Sequence, residues 1–202
     1  EEISSCYSSD GIENTIIVRR SNKQANNFNK YIKYSVLFQE DELNAGDLLM
    51  VVRNNYFWLK QEENMEFIAN GDMLEVMRVI DYEDKFGFRF ANASIRFLDS
   101  KKEIEFDVKL LLDTISIESS SLGKEDGKKL YDAVWNSYSD IRDKRKRKKA
   151  LKDDPYFNAL QVKFGYAITC HKSQGGQWKN VFVDQGYLTD EMINKEYLRW
   201  LY

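Results

Sequence analysis

Residues 165–184 read GYAITCHKSQGGQWKNVFVD. An apolar run at 166–168 leads into the polar cluster Thr169, Cys170, His171, Lys172, Ser173 and Gln174, which contains the only histidine of the chain. Gly175 and Gly176 follow, and Val181, Phe182 and Val183 form a second apolar run. An apolar run, a polar glycine-containing turn and another apolar run predict strand, loop, strand. In an α/β sheet such a loop is presented at the strand ends. Hydroxyl, imidazole, ammonium and amide donors in that loop suit phosphate oxygens, and the glycines let the backbone come close to a ligand.

Outward from this stretch, residues 15–19 (TIIVR) read as a short buried strand. Ser21 is placed as the N-cap of a helix whose apolar face is Ala25, Phe28, Tyr31, Ile32 and Val36. Strand, turn and helix make half of a βα unit. Between 43 and 109 the rhythm changes to short β-like runs at 47–52, 57–59, 73–80, 86–90, 94–98 and 104–108. Turn signals separate them at 45–47, 53–55, 70–72, 84–85 and 99–100, and Asn70-Gly71 is the strongest hairpin signal. Strands at this spacing predict a small β-barrel. Residues 123–152 then read as helix, with Leu130, Val134, Tyr138 and Ile141 as a packing stripe, a basic end at 144–149, and Pro155 as the stop. A strand over 160–167, the polar loop, a strand over 181–184 and a helix from about Asp190 restore the βα rhythm. The expected architecture is one discontinuous α/β domain, 1–42 with 110–202, carrying a helical insertion at about 118–153. An all-β barrel, 43–109, is inserted into it.

Composition limits the function classes. The chain has 202 residues, 43% hydrophobic and 14% aromatic, enough for a real core. Its net charge of −3 gives no global basic field, so a nucleic-acid surface has to be local. Cys6 and Cys170 have no ligand-like spacing and read as free thiols in a reducing, cytoplasmic compartment; no metal site is expected. No apolar run approaches the ~20 residues that cross a bilayer, and no secretory signal opens the chain. Both ends read as cut, from a non-methionine start to the uncapped YLRWLY.

The residues YAITCHKSQGGQW resemble motif V of superfamily 1 helicases of the RecD/Dda type. Further matches occur in the expected order. Residues 18–23, VRRSNK, are similar to motif IV; GDLLMVVRNNY at 46–56 followed by NGDMLEV at 70–76 resembles the family's GD…RN-N-Y…NG segment. The resemblance implies a second RecA-like domain of the P-loop NTPase type, and an inserted barrel of the Src-homology-3 type. It implies a parent resembling the RecD subunit of exodeoxyribonuclease V, an ATP-dependent DNA helicase of recombination or repair that moves 5′ to 3′ on single-stranded DNA. The implied partners are single-stranded and fork DNA, an upstream RecA-like domain of the same polypeptide and other helicase–nuclease subunits, with no membrane.

The same resemblance assigns residues. Thr169, His171, Lys172 and Ser173 face the phosphate backbone of the DNA; apart from the resemblance, Asn55 and Tyr56 are nucleic-acid candidates through base stacking near Tyr56, Phe57 and Trp58, and are read equally as a plain turn with Asn54. Arg20, Gln174, Gly175 and Gln177 fall on the nucleotide side. Gln177 stands where many relatives carry glutamate, and keeps hydrogen bonding to a ribose hydroxyl without the charge. The T-A-x-T-R-A of motif VI and a G-x-x-x-x-G-K-[ST] phosphate loop are absent from the sequence. ATP and Mg²⁺ are therefore expected in the full-length parent, with no catalytic residue in these 202. Arg20 is read equally as a solvated strand-end arginine. The basic run at 144–149 is read as a solvated face rather than a nucleic-acid stripe, because Asp140, Asp143, Asp153 and Asp154 surround it. Cys170 reads as a small apolar residue turned away. The competing function is a non-enzymatic module that binds protein or nucleic acid through the barrel; a nuclease has no carboxylate cluster behind it.

Overall fold

The structure is a computed structural model and describes residues 2–59, 67–98 and 105–184. In chain order the elements are α1 (Glu2–Asp10), β1 (Thr15–Arg19), α2 (Asn22–Tyr31), a π-helical turn (Ile32–Val36), β2 (Leu48–Val51), β3 (Met73–Lys85), β4 (Phe88–Phe97) and β5 (Glu105–Leu111). They continue with α3 (Asp113–Ser116), α4 (Lys124–Ser137), α5 (Lys144–Lys152), β6 (Leu160–Phe164), β7 (Ala167–Thr169), α6 (Cys170–Ser173) and β8 (Asn180–Asp184). The mixed α/β chain divides into two compact units, Glu1–Gln39 with Gly165–Tyr202, and Glu40–Phe164.

The first unit holds a parallel sheet of order β7-β1-β8. Central β1 is buried at every position, as its unbroken apolar run requires of a strand covered on both faces. Ser21 caps α2, its hydroxyl accepting the Gln24 N–H at 3.3 Å. The buried face of the helix differs from the apolar pattern. It is Ala25, Asn26, Asn29, Ile32 and Lys33, while Tyr31 is 55% exposed. Asn29 explains the rotation: its Nδ2 donates to the Ala167 carbonyl at 2.9 Å, and its Oδ1 accepts the Ala167 N–H at 2.7 Å. Ala167 lies opposite Ile17 in the ladder, and β1 is reached through the neighbouring Tyr166 carbonyl. The asparagine side chain thus stands in for a further strand along β7.

The second unit is a closed barrel, β2-β3-β4-β5-β6. Its tight hairpin joins β3 to β4 at Phe86-Gly87, both with positive φ (57° and 77°), the type I′ geometry that matches strand twist. The turn expected at 84–85 is therefore two residues late. The runs at 86–90 and 94–98 also merge into the single strand β4. Residues 57–59 form a turn rather than a strand, and the signals at 99–100 and the helix from about Asp190 lie outside the described residues.

Two further expectations are corrected. The run 160–167 is not one strand: β6 closes the barrel against β2 and β5, and β7 belongs to the parallel sheet. Because β5 and β6 are parallel, a crossover must join them, and the helices at 113–152 are that crossover. Residues 110–164, read as part of the α/β domain, consequently fold with the barrel. Phe88, Phe90 and Leu111 pack with Leu130 and Val134 of α4, Leu151 of α5 and Ala159 in one core. Thr114 pins the junction, its hydroxyl donating to the Leu111 and Val162 carbonyls (2.7 and 2.9 Å) and accepting the Val162 N–H at 3.0 Å. The helix read across 123–152 is likewise two. It breaks after Ser137, and Asp143 restarts it by accepting the Arg145 and Lys146 N–H groups at 2.7 and 3.2 Å.

A polar cluster straps the outside of the barrel. Lys109 donates to Glu83 and to Asn92, both at 2.7 Å; Asn92 donates to Glu83 at 2.6 Å, and the Tyr156 hydroxyl donates to Glu83. Lys109 and Tyr156 hold the Glu83 carboxyl down at about 2, and Glu83 in turn pushes the Tyr156 phenol up to about 12. A carboxyl depressed on folding stabilises above its unfolded value, near 4.5, and that contribution disappears as pH falls toward 2. The stability advantage of the native chain over Glu83→Gln is therefore expected to be constant above about pH 5 and to close between pH 5 and 2. Urea titrations of both proteins across that range test this. An advantage that persists at pH 2 would remove the ionised carboxylate from the explanation.

Candidate functional site

In the parallel ladder Arg19 is in register with Thr169 on one side and Asp184 on the other. These residues close the carboxyl ends of β1, β7 and β8, the edge at which open α/β sheets bind ligands. Arg19 is buried; its guanidinium pairs with the Asp184 carboxylate and lies 4.3 Å from the centre of the Phe28 ring. Burial pulls its pKa down from the usual arginine value. Arg20, the next residue, is exposed, and Ser21 begins α2 from the same edge. The sequence reading singled out Arg20 and missed Arg19 and Asp184. All of β1 is buried, on both faces, so strand alternation carries no signal for which arginine turns inward.

The loop leaves this edge as a single helical turn. Thr169, with extended backbone (φ −81°, ψ 155°), precedes α6. His171 is exposed, and Lys172 is half-buried with its pKa lowered by that burial. The Ser173 hydroxyl donates to the Cys170 carbonyl at 2.9 Å, which ties the turn together. Cys170 is half-buried and is in no disulfide among the described residues. Gln174 extends, Gly175 adopts φ 84°, a conformation that favours glycine, and a Cβ at Gly176 would run into the Trp178 indole. Gln174, Gly175, Gly176 and Gln177 are all exposed.

The route of the segment differs from a loop confined to strand ends. β8 begins beside Thr15, at the amino end of β1. The chain must therefore travel from the carboxyl edge back to the amino edge between 170 and 179. At the far end Asn180 donates to Asp10 at 2.8 Å, Lys179 pairs with Asp10, and the Asn180 N–H donates to the Asn14 carbonyl at 3.0 Å. The polar turn is thus anchored at both edges of the sheet, with its donors at the end where Arg19, Arg20 and Ser21 lie.

Of the residues expected from sequence, Arg20, Thr169, His171, Lys172, Ser173, Gln174, Gly175 and Gln177 belong to this unit. Asn55 and Tyr56 belong to the other. The Asn55 amide donates to the Asn158 carbonyl at 2.8 Å and accepts the Phe57 N–H at 2.9 Å, which fastens the barrel to the crossover. Tyr56 is 62% exposed and stacks on Phe67 at 5.1 Å. Both border a cleft of about 1040 Å³ whose other walls include Arg53, Lys124 and Tyr131. Among the described residues no group of three or more His, Cys, Asp or Glu side chains could hold a metal ion. No helix among them is long and apolar enough to cross a membrane.

Residues 164–202 match the family described as UvrD-like helicase C-terminal domain. The matched stretch takes in β7, the polar turn and β8. The match supports a superfamily 1 helicase assignment for this part of the chain, and with it a helicase-related, DNA-binding function in general. No curated protein matches the chain.

Proposed function

We propose that the unit built from residues 1–39 and 165–202 is the second RecA-like motor domain of a RecD-type superfamily 1 DNA helicase acting in recombination or repair. The observation that carries this reading is the register that sets Thr169, Arg19 and Asp184 side by side at the edge from which the polar turn departs. Thr169, His171, Lys172 and Ser173 then grip the phosphates of single-stranded DNA, contacts that position the strand without reading its sequence. Arg20, Gln174, Gly175 and Gln177 would hold the nucleotide. A guanidinium suits its phosphates, amides suit its ribose hydroxyls, and the open backbone at Gly175 admits close approach. ATP and Mg²⁺ supply the driving reaction, with the phosphate loop on an upstream RecA-like domain. The second unit is a Src-homology-3-type insertion that guides or splits the duplex, and fork DNA and helicase–nuclease subunits are the remaining partners.

Binding of fluorescein-labelled dT20, followed by anisotropy against salt, tests the reading. The 202-residue chain is expected to bind with a steep log–log salt slope and without preference among base sequences. Thr169→Val with His171→Ala is expected to weaken binding about tenfold or more, by removing direct hydrogen bonds to phosphate. Unchanged affinity in that variant, or strict dependence on base sequence, would discard the assignment of the turn.

A further inference from the structure

Helix α5 has the sequence KRKRKKALK and sits on a chain whose net charge is negative. At 100° per residue its two sides are unlike. Arg147, Ala150 and Leu151 face inward; Leu151 is in the core, and Arg147 lies 4.2 Å over the Trp135 ring with its guanidinium donating to the Trp135 carbonyl at 2.6 and 3.0 Å. Arg145, Lys149 and Lys152 lie on the opposite side, with Lys148 on its flank and Lys144 at the margin beside Leu151, and all five are exposed. None of these five makes an ion pair with any described residue. Two of the neighbouring aspartates are engaged elsewhere. Asp143 is turned onto the Arg145 and Lys146 N–H groups; Asp154 is buried, accepting the Tyr138 hydroxyl and the Tyr156 and Phe157 N–H groups at 2.8, 2.8 and 2.9 Å.

For folding alone this arrangement is unfavourable in two ways. Like charges four apart on a helix repel, as Lys144 does Lys148, Arg145 does Lys149 and Lys148 does Lys152. Cations in the first turn also oppose the helix dipole, and that turn contains no acid. A rigidly docked helix that concentrates self-repelling cations on its outer face is matched by a polyanion laid along it. We propose that this face of α5 is a docking surface for the phosphate backbone of nucleic acid, separate from residues 169–177. It goes beyond the sequence reading of the run as a solvated face, and rests on the protein being one that handles nucleic acid.

The test uses the 202-residue chain and dT20, with Lys144→Gln/Lys148→Gln/Lys149→Gln compared against the native chain and against Thr169→Val. Losing three phosphate contacts lowers the log–log salt slope by about 2 on single-stranded DNA, and weakens binding about tenfold or more near 0.1 M salt. Thr169→Val, which removes no charge, leaves the slope as it was. The triple variant is also expected to melt at the same temperature as the native chain or higher, because repulsion is relieved. An unchanged slope overturns the proposal, as does a slope change accompanied by a lower melting temperature, the mark of a merely structural helix. Polyglutamate competing as well as dT20 would assign the face to an acidic protein and overturn it too. A triple variant that loses slope while Thr169→Val binds normally upholds α5 and removes the polar turn from the binding site; a native chain that fails to bind dT20 removes both.

Discussion

Asn29→Leu is expected to destabilise the parallel sheet by about 2–6 kcal/mol. The Ala167 N–H and carbonyl are buried, and the Asn29 amide is bonded to both, at 2.7 and 2.9 Å. Leucine fills a similar volume but offers neither donor nor acceptor. Two buried backbone groups then lose their partners at about 1–3 kcal/mol each. Against the roughly 5–15 kcal/mol that holds a domain together, that is a large fraction. In a chain of this length it corresponds to a drop of about 10 °C in melting temperature. The loss is local, since Asn29, Ala167, β1 and β8 all belong to the unit formed by Glu1–Gln39 and Gly165–Tyr202. Amide exchange should therefore accelerate in β1 and β7 while the barrel strands keep their protection. Equal protection of β7 in native and variant protein would show that the asparagine does not hold the strand.

That residue also shows where sequence reading stops. Local signals were enough for β1, whose apolar run is bounded by Gly11 and Asn14 and followed by the Ser21 cap, and for most barrel strands, whose runs are bounded by turn residues. They were enough as well for the polar turn, since one histidine and a glycine pair between apolar runs is unusual in any sequence. What depended on distant partners was not legible. Leu160 to Phe164 and Ala167 to Thr169 look like one strand because only Gly165 and Tyr166 separate them; that β6 pairs with β2 is fixed more than a hundred residues earlier. Asn29 sits among Asn26, Asn27 and Lys30 on a helix and looks solvated, and only the unpaired side of β7 gives it a buried role. Arg19 and Arg20 are adjacent and chemically alike. The ring of Phe28 on the next helix and the carboxylate of Asp184, far off in sequence, both lie against Arg19, and neither is part of the strand pattern.

On the proposed function, the largest effect is expected in DNA-stimulated ATP hydrolysis by a polypeptide that carries this chain together with a phosphate-loop domain. His171 and Gln174 are both exposed on the short turn between β7 and Gly175. Substituting either with alanine removes no packing, so stability should stay within about 0.5 kcal/mol. If one short turn touches phosphate backbone on one side and nucleotide on the other, the two variants fail differently. His171→Ala loses a grip on the strand, so more DNA is needed for half-maximal stimulation. Gln174→Ala binds DNA nearly as well but turns over more slowly even when DNA is saturating. Misplacing groups around a reacting phosphate by about 1 Å is enough for a loss of order 100-fold. The turn is anchored at one end by the Thr169–Arg19 register and at the other by Asn180 and Lys179 on Asp10. On the proposed function, a shift of that edge on nucleotide binding would be passed to the DNA contacts, the two-state linkage that stepping along a strand requires. Steady-state ATPase measured against DNA concentration separates the two defects. Native stimulation in both variants, with folding verified by circular dichroism, would end the reading of this turn as the coupling element.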